Sequence, residues 1–581
     1  MEQDFSFFIT RIKTSSGDTV EVPRAGITAI VGPNNAGKSS FLRQISSHLR
    51  HGSLAKNLEN TFLINEITTS QSGDWEDFLE WLRAHARITQ QPDGSTIIQR
   101  PGASTVQMPV ALRHQSQNWP NGLAEMYDFI AFHGDAWQRI GGVTPVEMRD
   151  RFDNPPSSPM HLLQDNTELF GELNDISERV FGETLTMDRL SRQINLRVGK
   201  IDAETPRIDE VSEEYQSALS SLPWLTEQGD GMRSLIGLLI PLVTSTYPIV
   251  VIDEPEAFVH PPQAAALGKI LGEQARAKNL QIIVATHDRH LLSGFLESSA
   301  NLSIVRIERN SQTLTRFSQL NVDDVKEIWS DPVLRYSNVL DGLFHKLAVL
   351  AEADRDCRFF SSALEEYEPK SDLPLLPGDV LFVPSGGKDS LRRLATVLRS
   401  VHVPTVVSPD LDILNNRETI KSLFNSLGGN WEDANGDYRN ATSAFSQPRE
   451  KILVSHVLTA IRAQLKLRED EQFTAAIKNE LLTQIRLKDN PWSALKTYGM
   501  LAFRGQAAVA ANRLMERLEG MGIAPVRVGE LECFAPDLGV SKGPAWLPAA
   551  IKGGYHRSPE SRKHIQHIIS AYAKVTQEPA R

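Results

Sequence analysis

Cysteine is almost absent: Cys357 and Cys533 are the two in 581 residues. Two thiols cannot make a disulfide framework, and they fit a cytoplasmic setting. A basic excess is missing as well, since 61 Lys and Arg stand against 72 Asp and Glu, a net charge of −11. No chain-wide positive field is available for nucleic acid, so that partner would need a local basic groove or bridging metal ions. Nor is there a long apolar run. The longest uncharged stretch, Ser234–Ile252, contains Pro241, Thr244, Ser245, Thr246 and Pro248. It reads as a buried helix, a turn and a buried strand, with no membrane involved. Met1-Glu2-Gln3-Asp4 lacks the basic start of a secretory signal. Repeats, heptad runs and low-complexity tails are lacking too.

What is there begins with Gly32-Pro33-Asn34-Asn35-Ala36-Gly37-Lys38-Ser39. The apolar run Ile27–Val31 before it reads as a buried strand, and Ser40–Ile45 after it opens a helical pattern. Strand, glycine loop and helix are the context of a P-loop. The backbone from Gly32 through Asn34, Asn35 and Gly37 to Ser40 is expected to turn its N–H groups onto phosphate, helped by the helix N-terminus. Lys38 can reach the β- and γ-phosphates of ATP, and the Ser39 hydroxyl can ligate Mg²⁺.

Further on, Ile249–Ile252 reads as a buried strand ending in Asp253 and Glu254, and Gln281–Ala285 as another leading to His287. Alternating strands and helices predict a largely parallel sheet with its ligand at the carboxyl edge. There Asp253 holds Mg²⁺ through water and Glu254 activates the attacking water. His287 is placed to contact the γ-phosphate, although a His there also serves as a simple polar strand end. Gly229-Asp230-Gly231 opens a helix and offers N–H groups to phosphate, suiting a nucleotide held by another subunit. This order of motifs resembles ABC-type ATPases, with Gln228-Gly229-Asp230-Gly231-Met232-Arg233 in place of the usual signature. The run Asp253–Pro261 resembles the version in OLD-type and SMC-like ATPases.

The second half carries another set of acids. Glu352 follows the strand Leu347–Leu350, and Asp356 lies four residues on, a spacing that puts both on one helix face. Asp410 and Asp412 end a strand at Val406-Val407, and Glu530 and Glu532 follow a third at Pro525–Val528. Acids at three strand ends converge on one edge and can hold two Mg²⁺ ions, with Mn²⁺ an alternative. Singly, each acid is better read as a solvated strand end. The Cys533 thiol is expected to point away from Glu532 by strand alternation. Neither thiol is a ligand for a hard cation.

A Glu, then Asp-x-Asp, then a later acid resembles the TOPRIM fold. An ABC-type ATPase followed by TOPRIM resembles the OLD (overcoming lysogenization defect) family, which includes the nuclease of Gabija phage defence. That resemblance implies that Glu352, Asp356, Asp410, Asp412 and Glu532 are metal ligands, with Glu530 secondary. It also implies a phosphate-stabilising Lys near the end. Lys563 fits best by its distance after Glu532, with Lys542 and Lys552 as rivals. Glu352-Ala353 departs from the family's Glu-Gly. Ser385-Gly386-Gly387-Lys388 resembles a glycine turn of the family, for phosphate contact or for helix–strand packing. His556–His564 is a plausible basic segment, or a solvated helix face.

The expected fold class is therefore α/β: an ABC/AAA-type P-loop ATPase domain over 1–325 with a helical insertion at about 51–215, a linker at 326–345, and a TOPRIM domain over 346–581 with a helical insertion at about 415–521. The Trp and Phe residues of the first insertion are expected in a core or subunit interface. The expected function is ATP-dependent, divalent-metal-dependent DNA endonuclease activity in bacterial anti-phage defence. The implied partners are duplex phage or plasmid DNA, a second copy of the chain or a higher homo-oligomer, and a helicase-like or effector protein. The rival is an ATP-switched scaffold or sensor that holds or releases an effector, its TOPRIM domain not cleaving.

Overall fold

The computed structural model describes residues 5–57, 62–93, 95–101, 106–108, 123, 126–149, 156–202, 211–244, 247–309, 315–320, 322–331, 338–367, 375–445, 454–466, 471–485, 491–540 and 542–577. Met1–Asp4, Asn154-Pro155, Ser245-Thr246, Thr313, and parts of the two expected insertions and the linker lie outside the described residues. The chain divides into two compact units. One comprises Met1–Arg335, Leu343–His345 and Ser400–His402; the other comprises Tyr336–Gly342, Lys346–Arg399 and Val403–Arg581. Among the described residues no helix is long and apolar enough to cross a membrane.

The first unit is built on a six-stranded sheet. Its order is Thr315–Leu320, Leu302–Arg309, Gly26–Val31, Gln281–Ala285, Ile249–Asp253, Ala131–Gly134. All neighbours are parallel except the first pair. The three central strands read as continuous Val/Ile/Ala runs because both faces are covered; Ile27, Ile30, Val250, Ile252, Ile282 and Val284 have no exposed surface. The register pairs Ile252 with Val284 and Ala285 with Ile30. That alignment brings Gly32, Asp253 and His287 to one edge of the sheet. A smaller antiparallel sheet, Thr19–Glu21, Ser6–Thr14 and Ile64–Ser72, packs nearby. The buried Gln281 amide ties the two sheets together: its Nε2 donates to the carbonyls of Ile9 and Pro23, both at 2.8 Å, and its Oε1 accepts from Ile9 N–H at 2.9 Å.

The segment expected as an insertion is partly woven into these sheets. Ile64–Ser72 pairs with Ser6–Thr14, and Ala131–Gly134 is the edge strand beside Ile249–Asp253. Ala131–Gly134 is only four residues long, and Ile64–Ser72, though nine residues long, is mostly polar, so hydrophobic periodicity alone did not reveal them. Phe78, Trp81 and Phe129 of this segment are core residues, whereas Trp137 is 85% exposed. The apolar spacing over 160–181 reads as one amphipathic helix, but the helix is broken at Asn166, which caps a second one, Thr167–Phe181, by accepting from the N–H groups of Glu168 and Leu169.

The second unit has a three-stranded parallel sheet in the order Val380–Pro384, Leu347–Ala351, Thr405–Ser408. Ala351 pairs with Pro384 on one side and Ser408 on the other. Glu352, Ser385 and Asp410 consequently leave the sheet at one edge. The strand expected at Pro525–Val528 is reduced to isolated parallel bridges, Val407 to Ile523 and Asp410 to Val526. Pro525 and Pro409 both lack the N–H a ladder needs, which explains the interruption. Helices Asp354–Glu365 and Pro559–Gln577 cover the sheet through Phe359, Phe360, Ile565 and Ile568.

Candidate nucleotide site and carboxylate cluster

The P-loop is held open by its glycines. Gly32 has φ of +147°, and a Cβ there would lie 2.2 Å from the Ile307 carbonyl oxygen, so no other residue fits. Gly37, in the left-handed region, precedes the helix Lys38–His51, and no side chain caps its first turn. Those N–H groups are thus left to a ligand, in the geometry that favours phosphate. Lys38 folds back into the loop, its ammonium donating to the carbonyls of Gly32 and Pro33 at 2.9 and 3.0 Å. Burial lowers its pKa, opposed by Glu254, Glu256 and Asp253.

Ser39 donates to Asp253 Oδ1 at 3.1 Å, so the two residues expected around one Mg²⁺ ion are in contact. Burial raises the Asp253 pKa. Next to it, Glu254 Oε1 lies 3.1 Å from His287 Nδ1, a hydrogen bond that lowers the Glu254 pKa and raises that of His287. A pocket opens beside Ser39 and Asp253, lined also by Arg43, His133, Asp135 and Gln138. Asn34, Asn35 and Ser40 stay on this loop and helix start. Asn35 is left-handed at φ +61°. Gly231 packs on the loop after Glu254, where a Cβ would meet the Phe258 carbonyl at 2.3 Å; around Gly229 there is open space.

Sequence reasoning missed two groups here. Glu256 is buried. Its Oε1 accepts from the Thr286 hydroxyl at 2.6 Å and His287 N–H at 3.2 Å, while its Oε2 has no hydrogen-bond partner among the described residues. Burial pushes its pKa up to about 7. Arg139 sits behind Asp253 and Glu254 in the segment read as insertion. The polar residue two after Glu254 was a signal for the first; nothing local marked the second.

In the other unit, one carboxylate oxygen each from Glu352, Asp410 and Asp412 lies within 4.8 Å of the others. Glu352 Oε1 accepts the Asp410 N–H at 3.0 Å. Burial, then the charges of Glu352, Asp356, Asp412 and Glu530, push the Asp410 pKa up to about 8. So Asp356 and Glu530 stand close enough to act on Asp410, and Glu532 acts on Asp356. The donor set is all oxygen, which suits a hard divalent cation. Glu532 Oε1 is buried without a hydrogen bond among the described residues, with Arg355 Nη1 3.7 Å away. A cation would satisfy that atom.

Several expectations need correction. Glu352 and Asp356 do not share a helix face: the helix begins at Asp354, and Asp356 caps it by accepting the Ala353 N–H at 2.8 Å. Glu352 belongs to the strand end, so the two acids meet through a turn. Lys563 is exposed and forms no ion pair with these acids among the described residues. Other ammonium groups do so. Lys542 lies 3.0 Å from Glu530 and 3.4 Å from Glu532; Lys496 lies 3.1 Å from Asp412; Lys388, from the Ser385–Lys388 turn, pairs with Asp412 and stands 4.0 Å from Glu352. Distance along the chain misled because the segment after Glu532 doubles back through short helices. The stretch 556–564 divides: Arg557, Arg562 and Lys563 are exposed, as a solvated basic face requires, but its histidines are not. His556 and His564 are buried, and the His564 ring, pushed down to about 3 by burial, hydrogen-bonds Ser408 at 2.9 Å. Cys533 lies on a 3-10 turn, not a strand, and its thiol donates to the Lys496 carbonyl at 3.0 Å.

A family model described as "AAA domain, putative AbiEii toxin, Type IV TA system" matches residues 151–293. That span includes Gly229–Gly231, Asp253, Glu254 and His287. The OLD nuclease of Thermus scotoductus is 22% identical over 446 residues, covering 68% of this chain and 80% of the relative. This chain is similar to an OLD nuclease over about two thirds of its length. Its first unit has the P-loop ATPase fold, on the family match, the sheet order and the loop geometry. Looser likenesses are to an SMC head bound to the C-winged helix domain of ScpA (12% identity, 55% of this chain, 99% of that chain, TM-score 0.32) and to the SMC head domain from Thermotoga maritima (13%, 55%, 99%, 0.27).

Proposed function

We propose that this chain is an ATP-hydrolysing, divalent-metal-dependent DNA endonuclease of the OLD type, acting in bacterial anti-phage defence in the manner of the Gabija nuclease. The observation that carries the reading is the meeting of Glu352, Asp410 and Asp412 within 4.8 Å, in a chain that also holds a complete P-loop site. The second unit is read as a TOPRIM domain: a parallel sheet whose strand ends deliver the acids.

At the nucleotide site the loop amides and Lys38 would bind the ATP phosphates. Ser39 and Asp253 are the residues for Mg²⁺. Glu254 accepts a proton from the attacking water, and His287 orients its carboxylate while reaching toward the γ-phosphate. A second copy would present Gly229–Gly231 to the same nucleotide, making the working form a homodimer or larger. At the other site Glu352, Asp410 and Asp412 are the first candidates for Mg²⁺ or Mn²⁺, with Asp356, Glu530 and Glu532 beside them. Bound divalent ions would activate water and neutralise the scissile phosphodiester. Lys542, Lys496 and Lys388 release the acids as cations enter and then face the DNA phosphates. Lys542 takes the role first given to Lys563.

Plasmid nicking by the purified chain, with Mg²⁺ or Mn²⁺ and with or without ATP, tests the reading. Cleavage that disappears in Asp410→Asn while ATP hydrolysis persists is the expected result. A parent protein that hydrolyses ATP but never cuts DNA would favour the scaffold or sensor reading instead.

A further inference from the structure

Arg139 is 1% exposed, yet no carboxylate hydrogen-bonds it among the described residues. A guanidinium stays charged and carries five N–H donors, so burying it this way is tolerable only if those donors are used. They converge on one feature. Nη1 donates to the Asp253 carbonyl at 2.7 Å, Nη2 to the Glu254 carbonyl at 2.9 Å, and Nε to the Ser234 hydroxyl at 3.2 Å. The surroundings are shaped to admit it: a Cβ at Gly237 would lie 1.8 Å from the Arg139 carbonyl, and one at Gly142 3.1 Å from the Gly237 carbonyl.

The peptide it grips is unusual. Glu254 has φ of +45°, a left-handed conformation that a non-glycine residue keeps only when its surroundings impose it. The imposing contacts are the Glu254 N–H to the Ala285 carbonyl at 3.0 Å, and the Ala257 N–H and Arg139 on the Glu254 carbonyl. With the backbone so turned, the Glu254 carboxylate meets His287 at 3.1 Å.

We infer that Arg139 is a positioning residue for ATP hydrolysis: it holds the Asp253-Glu254 carbonyls so that the Glu254 carboxylate stays aimed at the attacking water. Through Ser234 it ties that aim to the helix that starts beside Gly229–Gly231. This rests on the reading of Glu254 as the water-activating group. Because Arg139 touches neither Lys38 nor Ser39, its loss acts on turnover and leaves nucleotide binding intact.

The test uses the full chain carrying Arg139→Lys, Arg139→Ala, Ser234→Ala or Glu254→Gln. Steady-state ATP hydrolysis is read beside the affinity for a fluorescent ATP analogue. Arg139→Lys keeps the charge but loses the two-pronged grip; it should lower kcat at least about tenfold, with KM and analogue affinity within about twofold of the parent. Ser234→Ala should lower kcat roughly two- to threefold. Methylguanidinium added to Arg139→Ala should restore part of kcat. Parental kcat in Arg139→Lys, with Glu254→Gln inactive, overturns the inference alone. Parental hydrolysis in Glu254→Gln overturns the Glu254 reading and the inference with it. A parallel loss of affinity and kcat in Arg139→Lys assigns the residue a merely structural role.

Discussion

The nucleotide site and the carboxylate cluster assemble charge by different means. The first is mostly backbone: the amides of Gly32–Ser40, the carbonyls that receive Lys38 and Arg139, and a few side chains at adjacent strand ends. The second is almost wholly side chain, with acids at 352, 356, 410, 412, 530 and 532 set against ammonium groups at 388, 496 and 542. A backbone cradle is encoded in one short stretch, because glycine conformation and a helix start suffice. A like-charged cluster is not. Burial, and then the charges of neighbouring acids, raise Glu352, Asp356 and Asp410, the last to about 8, so counter-charges must be imported from distant segments. The lysines found there supply those counter-charges.

The sharpest way to break this contrast is Asp410→Asn. It removes a proposed metal ligand at the centre of the cluster and should lower DNA cleavage by at least about a hundredfold in Mg²⁺, leaving ATP hydrolysis near normal. A plasmid assay beside a phosphate-release assay decides it, and cleavage at parental rates would dissolve the cluster's role. Glu254→Gln is the mirror experiment. Hydrolysis should fall roughly a hundredfold or more with ATP still bound, read by single-turnover phosphate release. If ATP binding falls instead, Glu254 supports the loop and not the water.

The counter-charge argument is sharpened by Lys388→Met. Without that ammonium the acids repel one another more, and Mn²⁺ binding followed by electron paramagnetic resonance should tighten roughly three- to tenfold. Unchanged affinity would mean that Lys388 does not compete for the site. The smallest effect concerns Glu256, whose folded-state pKa of about 7 lies above its ordinary value near 4.5. Between those values the native state binds the extra proton, so stability falls as pH rises through this window and levels off above it. One proton gives a slope of at most about 1.4 kcal/mol per pH unit. Denaturant titrations from pH 5 to 8 should show that slope flattened in Glu256→Gln; an unaltered slope would assign the pH dependence to other groups.

Much of both sites was legible in the chain, for unequal reasons. Asp253, Glu254 and His287 follow apolar strands whose pattern is unmistakable, so their shared edge could be anticipated. Glu352, Asp410 and Asp412 were legible as strand ends, although the helix-face argument for Asp356 failed where a turn intervened. Lys563 was misplaced because counting residues ignores how short helices fold back. Arg139 and the strand Ala131–Gly134 were hidden in a segment whose local pattern is weak.

By itself, then, the amino-acid sequence determined the phosphate cradle and the strand-borne acids, since glycine conformations, apolar runs and helix starts are local properties. Tertiary structure alone decided which cations answer the acids, how Arg139 grips the left-handed Glu254 peptide, and where Glu256 is buried. Coulombic and desolvation energies depend on distances through space, and no local rule of chain spacing carries those distances.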